Sequence, residues 1–387
     1  MKRLFFILFI AMAELNCINN KVVHKEVEIE WSVATVLPSA DGIEEQPGLA
    51  GPVTGIIRNR LVVGGGANFP EGLPWHGNKK VYHDEVYFFE KKNGRIVNAS
   101  VSHQKLPEPV AYCANVNTPD GMVYIGGENE QGILDKVVSV TYKETSNEIV
   151  FSDLHSLPLR LTNLAAAYND HMIYVAGGNS KDGNSNKFFS LDLSMPGASW
   201  QPLPDIPVKI SFAVMTVQSD GDHKCIYLIG GRRKNSDGLS DIFNTVYQFD
   251  IKDKQWRQKR SLPYAVSAGT GIANDSNHIL LFGGDKGETF SKEEKLSSSI
   301  RNETDEQKNK NLVKEKIALL KAHPGFTSDV LLYNTITDTW KKTTPLPSGS
   351  PVTTTAIKWG DDIIIPSGEI KAGVRTPVIL AGRIPGR

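Results

Sequence analysis

A carboxylate and a guanidinium six residues apart, Glu369 and Arg375, stand in the stretch Asp361-Asp-Ile-Ile-Ile-Pro-Ser-Gly-Glu-Ile-Lys-Ala-Gly-Val-Arg-Thr376. Such a pair can handle an anionic, hydroxylated ligand. A guanidinium grips a carboxylate through two parallel N–H donors. A carboxylate nearby can take or return a proton at a hydroxyl. The alternative is a salt bridge that pins their own hairpin, since opposed charges across a tight loop pair readily. Further polar residues stand at comparable places in the chain: Asn68, His76, Glu128, Asn129, Arg160, Arg232 and Arg233. Each has a plain alternative. Glu128 can pair with a neighbouring arginine, one or both of Arg232 and Arg233 can be solvated, and His76 can be a surface loop residue.

The elements that must hold these residues repeat. An apolar run ending in two small residues occurs at Leu61–Gly65, Val123–Gly127, Ile173–Gly178, Ile226–Gly231, Ile279–Gly284 and Ile363–Gly368. Successive marks are 62, 51, 53, 53 and 84 residues apart. A period near fifty belongs to propeller blades. Leu-Pro alternates with these marks, at Leu37, Leu106, Leu157, Leu203, Leu262 and Leu346. Within a unit an apolar strand follows Leu-Pro, then the Gly-Gly strand, a polar loop and an aromatic strand. The last strand often carries tryptophan: Trp31, Trp200, Trp256 and Trp340. Four short strands bounded by turn residues make one antiparallel blade. The expected fold is therefore all-β, a six-bladed Kelch-type propeller over residues 27–385. Glu28–Thr35 reads as a last strand with no strands before it, so it is expected to complete the final blade and close the ring.

The fifth Gly-Gly unit is oversized. Residues 286–325 form a charged insertion, and Asn311–Ala322 is expected to be an amphipathic helix stopped by Pro324-Gly325. In an up-and-down blade the loops after the second strand and into the first share one face. The insertion, the long loop Gly66–Lys80 and every Gly-Gly loop are thus expected around one mouth of the central channel. Functional side chains gather on loops held by a rigid scaffold, and such a mouth suits a small polar ligand.

Composition narrows the partners. Lys+Arg and Asp+Glu balance at 43 each, so no nucleic-acid partner is expected. Lys2-Arg3, the apolar Leu4–Ala11 and Ala11-Met-Ala13 read as an export signal, placed at residues 1–17, which implies a periplasmic protein. Cys17 offers a minority reading, lipid attachment to a membrane. Cys113 and Cys225 fall two units apart in apolar runs and are expected to be free buried thiols. No Cys/His cluster has zinc spacing, and no metal is expected. Gly64-Gly-Gly66 lacks the setting of a phosphate loop. No Gly-x-Ser-x-Gly elbow is present.

The Gly-Gly, aromatic and tryptophan repeat resembles the Kelch propellers across the whole mature chain. Several stretches carry a closer resemblance: Gly368-Glu-Ile-Lys-Ala-Gly-Val-Arg-Thr376, Gly230–Asn244, the loop Gly65–Lys80 and the helical insertion. Together they resemble the N-acetylneuraminate epimerases, or sialic acid mutarotases, with the blade order circularly permuted. The resemblance implies interconversion of the α and β anomers of N-acetylneuraminate. It implies Glu369 and Arg375 as the functional pair, with Gly-Glu-x-Lys-x-Gly-x-Arg-Thr intact and Ser367 a small departure. The chemistry needs no cofactor, because one carboxylate with a partner donor or water suffices. A glycan- or protein-binding module without chemistry, and a mutarotase for another sugar acid, remain the alternatives.

Overall fold

The computed structural model describes residues 27–39, 46–99, 104–145, 148–347 and 349–385. The expected export signal and Cys17 lie outside the described residues. Six antiparallel sheets form the blades of a β-propeller. The second blade shows the pattern: Ala114–Thr118, Gly121–Ile125, Val137–Lys143 and Glu148–Asp153 lie side by side in that order. The sixth takes Ile357–Trp359, Asp362–Pro366 and Val378–Arg383 from the end of the chain, and its outer strand is Glu30–Val36. Glu30 pairs with Arg383 and Val36 with Val378.

Six small cores hold the ring, one at each seam between blades. The Gly-Gly strands explain how. Side chains alternate along a strand, and here both faces are buried, so both sets are apolar. Met122 and Tyr124 enter the core shared with the first blade, while Val123 and Ile125 enter the core shared with the third. Cys113 and Cys225 are free and buried in these seams.

The small-residue pair turns the chain out of the blade. In the first blade the turning glycines are Gly65 and Gly66, one place later than the apolar run implies, at φ 59° and 80°. At the first position of the pair a Cβ would strike a neighbouring carbonyl, as at Gly126, 2.4 Å from the Leu161 oxygen. Ser367 breaks the rule at φ 56°. Its hydroxyl compensates, accepting from the Leu49 N–H at 2.8 Å and lying 2.7 Å from the Thr376 carbonyl.

The Leu-Pro marks need one correction. Leu157, Leu262 and Leu346 are buried, and each donates its N–H to the residue two before its blade's third strand. In the third blade the residue that does so is Ile206, donating to the Asn186 carbonyl, so Ile206-Pro207 and not Leu203-Pro204 is the counterpart.

Around the axis runs a closed backbone collar. Tyr112 donates its N–H to the Gly51 carbonyl, Asn163 to Tyr112, Phe212 to Asn163, Ala268 to Phe212, Thr353 to Ala268 and Gly51 to Thr353, all at 2.7–3.0 Å. All six residues are left-handed, with φ between 52° and 63°. Beneath the collar the channel is narrow, a cavity of about 120 Å³ lined by small residues such as Ala165, Thr270 and Gly271.

After the turning pair, five blades carry a short two-stranded hairpin, for example Asn179–Ser180 with Gly183–Asn184. In the fifth blade this excursion is a helical hairpin: α1, Glu288–Asn302, and α2, Glu306–Lys321. The expected single helix from Asn311 is thus one of two, and it starts five residues earlier. Asp305 caps α2 by accepting the Lys308 N–H at 2.9 Å. Before α1 stands Gly287, whose φ of 84° favours glycine and where a Cβ would also press on Ile242 Cδ1 of the fourth blade, 1.9 Å away.

Candidate active site

The residue directly after each turning pair bridges back to the residue just before the collar: Ala67 to Ala50, Glu128 to Ala111, Asn179 to Thr162, Arg232 to Ser211, Asp285 to Ser267 and Glu369 to Val352. The fold therefore sets six side chains in a second ring above the collar. Glu128, Arg232, Asp285 and Glu369 line one cavity of about 370 Å³. Collar residues Tyr112, Phe212 and Thr353 line it from beneath, and Phe290 of α1 and Leu320, His323 and Phe326 of the α2 arm line it from the insertion.

Arg232 is the free cation of this cavity. Its guanidinium lies between two aromatic rings, 3.9 Å from the centre of Phe212 and 4.3 Å from that of Phe290. No side chain among the described residues hydrogen-bonds it or pairs with it within salt-bridge distance. Burial makes this charge costly and lowers the proton affinity of the group, against the pull of Asp285, Glu294 and Glu369. Arg233 alternates to the other side and pairs with Asp241 at 2.6 Å.

Glu369 and Arg375 face each other across their hairpin. Their closest approach, Arg375 Nη1 to Glu369 Oε1, is 3.8 Å, an ion pair and not a hydrogen bond. Glu369 Oε1 instead accepts the Gly373 N–H at 2.8 Å. Arg375 is buried, stacked 4.6 Å from the Phe69 ring, and its Nε and Nη1 have no hydrogen-bond partner. Its charge also faces the buried Tyr112 phenol, whose proton is held above the usual range chiefly by burial.

Glu128 accepts from Lys80 at 3.0 Å and from Tyr82 at 2.7 Å. Its partner is thus a lysine from the first blade, not an arginine. Burial raises the Tyr82 phenol to about 12. Burial opposes the Lys80 charge, but Tyr112 and Glu128 outweigh it and hold the ammonium above its ordinary value.

The other residues singled out by sequence lie elsewhere. Asn68 and Asn129 stand one place too late, so the alternation of the strand turns them from the cavity. Asn68 donates to the Gly48 carbonyl at 2.9 Å and contacts His83. Asn129 donates to Glu108 and Pro109. His76 is exposed in the 3-10 turn Pro74–His76, and Arg160 is exposed with Asp135 3.7 Å away. Sequence reasoning missed Asp285, Phe290, His323 and the collar residues. Asp285 had a signal, its place directly after Gly283-Gly284. Among the described residues one group has metal-ligating types, Asp220, His223 and Cys225, on the strand connection at the other end of the fourth blade. Their atoms already engage one another and Asp250: Cys225 Sγ donates to Asp220, and His223 Nε2 is 3.0 Å from Asp250.

The family model described as N-acetylneuraminate epimerase matches residues 15–149 and 154–386. A protein named N-acetylneuraminate epimerase from Vibrio vulnificus is 28% identical over 238 residues, 59% of each chain. One of that name from Haemophilus influenzae is 23% identical over 247 residues, 64% of this chain and 63% of its own. A third, from Yersinia enterocolitica, is 29% identical over 225 residues, 56% of this chain and 54% of its own. The aligned part thus spans about three fifths of these relatives. The solved structure of YjhT superposes with a TM-score of 0.60 at 15% identity, covering 90% of this chain and 97% of that one, which is a likeness of fold.

Proposed function

The chain belongs to the N-acetylneuraminate epimerase family, and on that premise we propose that it interconverts the α and β anomers of N-acetylneuraminate. One observation carries the reading: a free guanidinium, Arg232, and a carboxylate, Glu369, line one cavity sized for a monosaccharide acid. Arg232 binds the substrate carboxylate, and its two flanking rings exclude water from that ion pair. Glu369 takes the proton of the anomeric hydroxyl as the bond from C2 to the ring oxygen breaks. The bonding pair goes to the ring oxygen, which receives the proton from Glu369. The open-chain ketone turns about C2–C3 and closes on its other face by the reverse steps. Protons balance without any external reagent. Arg375 sets a positive charge beside Glu369, while the Gly373 N–H orients it. One feature favours a second assignment: the unpartnered N–H groups of Arg375 would suit the carboxylate if Phe69 moved aside.

Proton NMR of freshly released α-N-acetylneuraminate tests the reading. Wild-type protein is expected to speed appearance of the β anomer, and a rate equal to the spontaneous one defeats the proposal. Arg232→Ala is expected to raise KM about 10- to 100-fold with kcat nearly kept, the worth of a charge-assisted contact. If Arg375→Ala has that signature instead, the second assignment holds.

A further inference from the structure

His323 follows α2 and returns to the cavity. It is 7% exposed. Its Nδ1 accepts the Gly325 N–H at 3.0 Å. A neutral ring that accepts at Nδ1 carries its proton on Nε2, so this bond fixes the tautomer. Phe326 packs against the ring at 62°, with centroids 5.0 Å apart, and sets its plane. Nε2 has no hydrogen-bond partner among the described residues, while the side chain lines the cavity that holds Asp285 and Glu369. The Nε2–H is thus open to the cavity and free to donate to an acceptor on a ligand. Burial lowers the basicity of the ring, with Lys371 adding to that push and Asp285 and Glu369 opposing it. Glu293 of α1, also on the cavity, is neutralised by Lys316 at 2.5 Å. The ring is therefore a neutral donor near neutral pH.

We propose that His323 Nε2–H donates a hydrogen bond to the ring oxygen of the sugar as the bond between that oxygen and C2 breaks. The proposal rests on the mutarotase reading above. The bonding pair moves onto the ring oxygen, and the proton that Glu369 took from the anomeric hydroxyl ends there. His323 keeps its own proton throughout. A donor already aimed at the developing charge needs no reorganisation when the charge appears. A neutral imidazole with lowered basicity suits this electrophilic role better than one that must first shed a proton. Glu369 thus moves the proton while His323 meets the charge. The insertion becomes part of the catalytic apparatus and not only its cover.

The test compares wild type, His323→Ala and His323→Gln by anomer-resolved proton NMR, with melting followed by circular dichroism. His323→Ala is expected to lower kcat about 100-fold, as loss of one such donor does, with KM little changed. His323→Gln places an amide N–H near the Nε2 position and is expected to recover roughly a tenth or more of wild-type kcat. A folded Ala variant with wild-type kcat overturns the proposal, as does a Gln variant no better than Ala. If the Ala variant does not fold, the wild type decides: saturating N-acetylneuraminate should shift the 15N resonance of His323 Nε2, and an unmoved resonance overturns the proposal. A wild type that leaves the spontaneous rate unchanged defeats the mutarotase reading, and this proposal with it. An active wild type beside an unimpaired Ala variant defeats the proposal alone.

Discussion

Two hairpins stand at the same station of the ring and differ in how their polar atoms are spent. In the third blade Asn184 Nδ2 donates to Asn179 at 2.9 Å and to Ser211 at 2.8 Å, and its oxygen accepts the Lys234 N–H at 2.8 Å. Ser180 closes the turn by donating to the Gly183 carbonyl. In the sixth blade Glu369 and Arg375 occupy the same places but do not hydrogen-bond to each other. Two N–H groups of a buried guanidinium are left without partners. The first hairpin is finished by its own side chains, and the second waits for something else. Unmet bonding capacity at equivalent places, in a hairpin that differs by one bulged residue, separates the candidate site from a structural turn.

Substitution should split the two hairpins cleanly. Glu369→Gln is expected to slow mutarotation by about 10²- to 10⁴-fold, the worth of a positioned base, with the melting temperature held. Asn184→Ala should do the reverse, costing about 1–3 kcal/mol through stranded partners while leaving kcat intact. Anomer NMR and thermal melting on both variants check this, and the contrast breaks if Asn184→Ala also abolishes turnover. Arg375→Met sharpens the point. A buried guanidinium with two unpartnered N–H groups costs stability, while its removal strips Glu369 of a neighbouring charge, so this variant is expected to stay within about 1 kcal/mol of wild type in urea unfolding, yet to be slower in catalysis. A large loss of stability would mean that Arg375 is a structural pin. The smallest effect is in pH. Burial lowers the basicity of His323 and of His83. A histidine less basic folded than unfolded stabilises the fold above its unfolded value, near 6.5. That contribution is lost as pH falls through the lower folded value, because the unfolded chain then binds more protons. Hydrogen-exchange protection factors, taken relative to the intrinsic rate at each pH, should therefore fall over residues 306–326 and 369–375 below about pH 6.5, while those of residues 179–184 hold.

Much of this was legible in the chain because the repeat encodes steric necessity. The turning pairs, five of them Gly-Gly and the sixth Ser367-Gly368, mark where the chain leaves each blade, so together they announce six blades. Closure was legible from Glu28–Thr35, a last strand with no blade of its own. The site was less so. A loop residue's type says little about which way it points, and alternation along the hairpin sends Asn68 and Asn129 one way and Glu128 and Glu369 the other. Counting the offset from the glycine pair would have found Asp285 and set aside the two asparagines. The helix α1 was hidden by its serines, with Phe290, Leu296 and Ile300 as its few large apolar residues. His323 had no sequence signal, since its role depends on a fold-back that only the packed insertion creates. The collar residues share a backbone angle and no side-chain chemistry, and so leave no pattern to read.

The circular fastening of this molecule also sets an order of events in time. Glu30–Val36 finds its place only against Val378–Arg383, and the last collar bond joins Gly51 to Thr353. Both link opposite ends of the described chain, and contacts of such long separation form slowly. Until they form, the sixth blade presents Val378–Arg383 as an open edge, a template for pairing with another chain. The interval before the first strand docks is thus when this protein is most exposed to aggregation, and the strength of that single strand pairing governs how briefly it lasts.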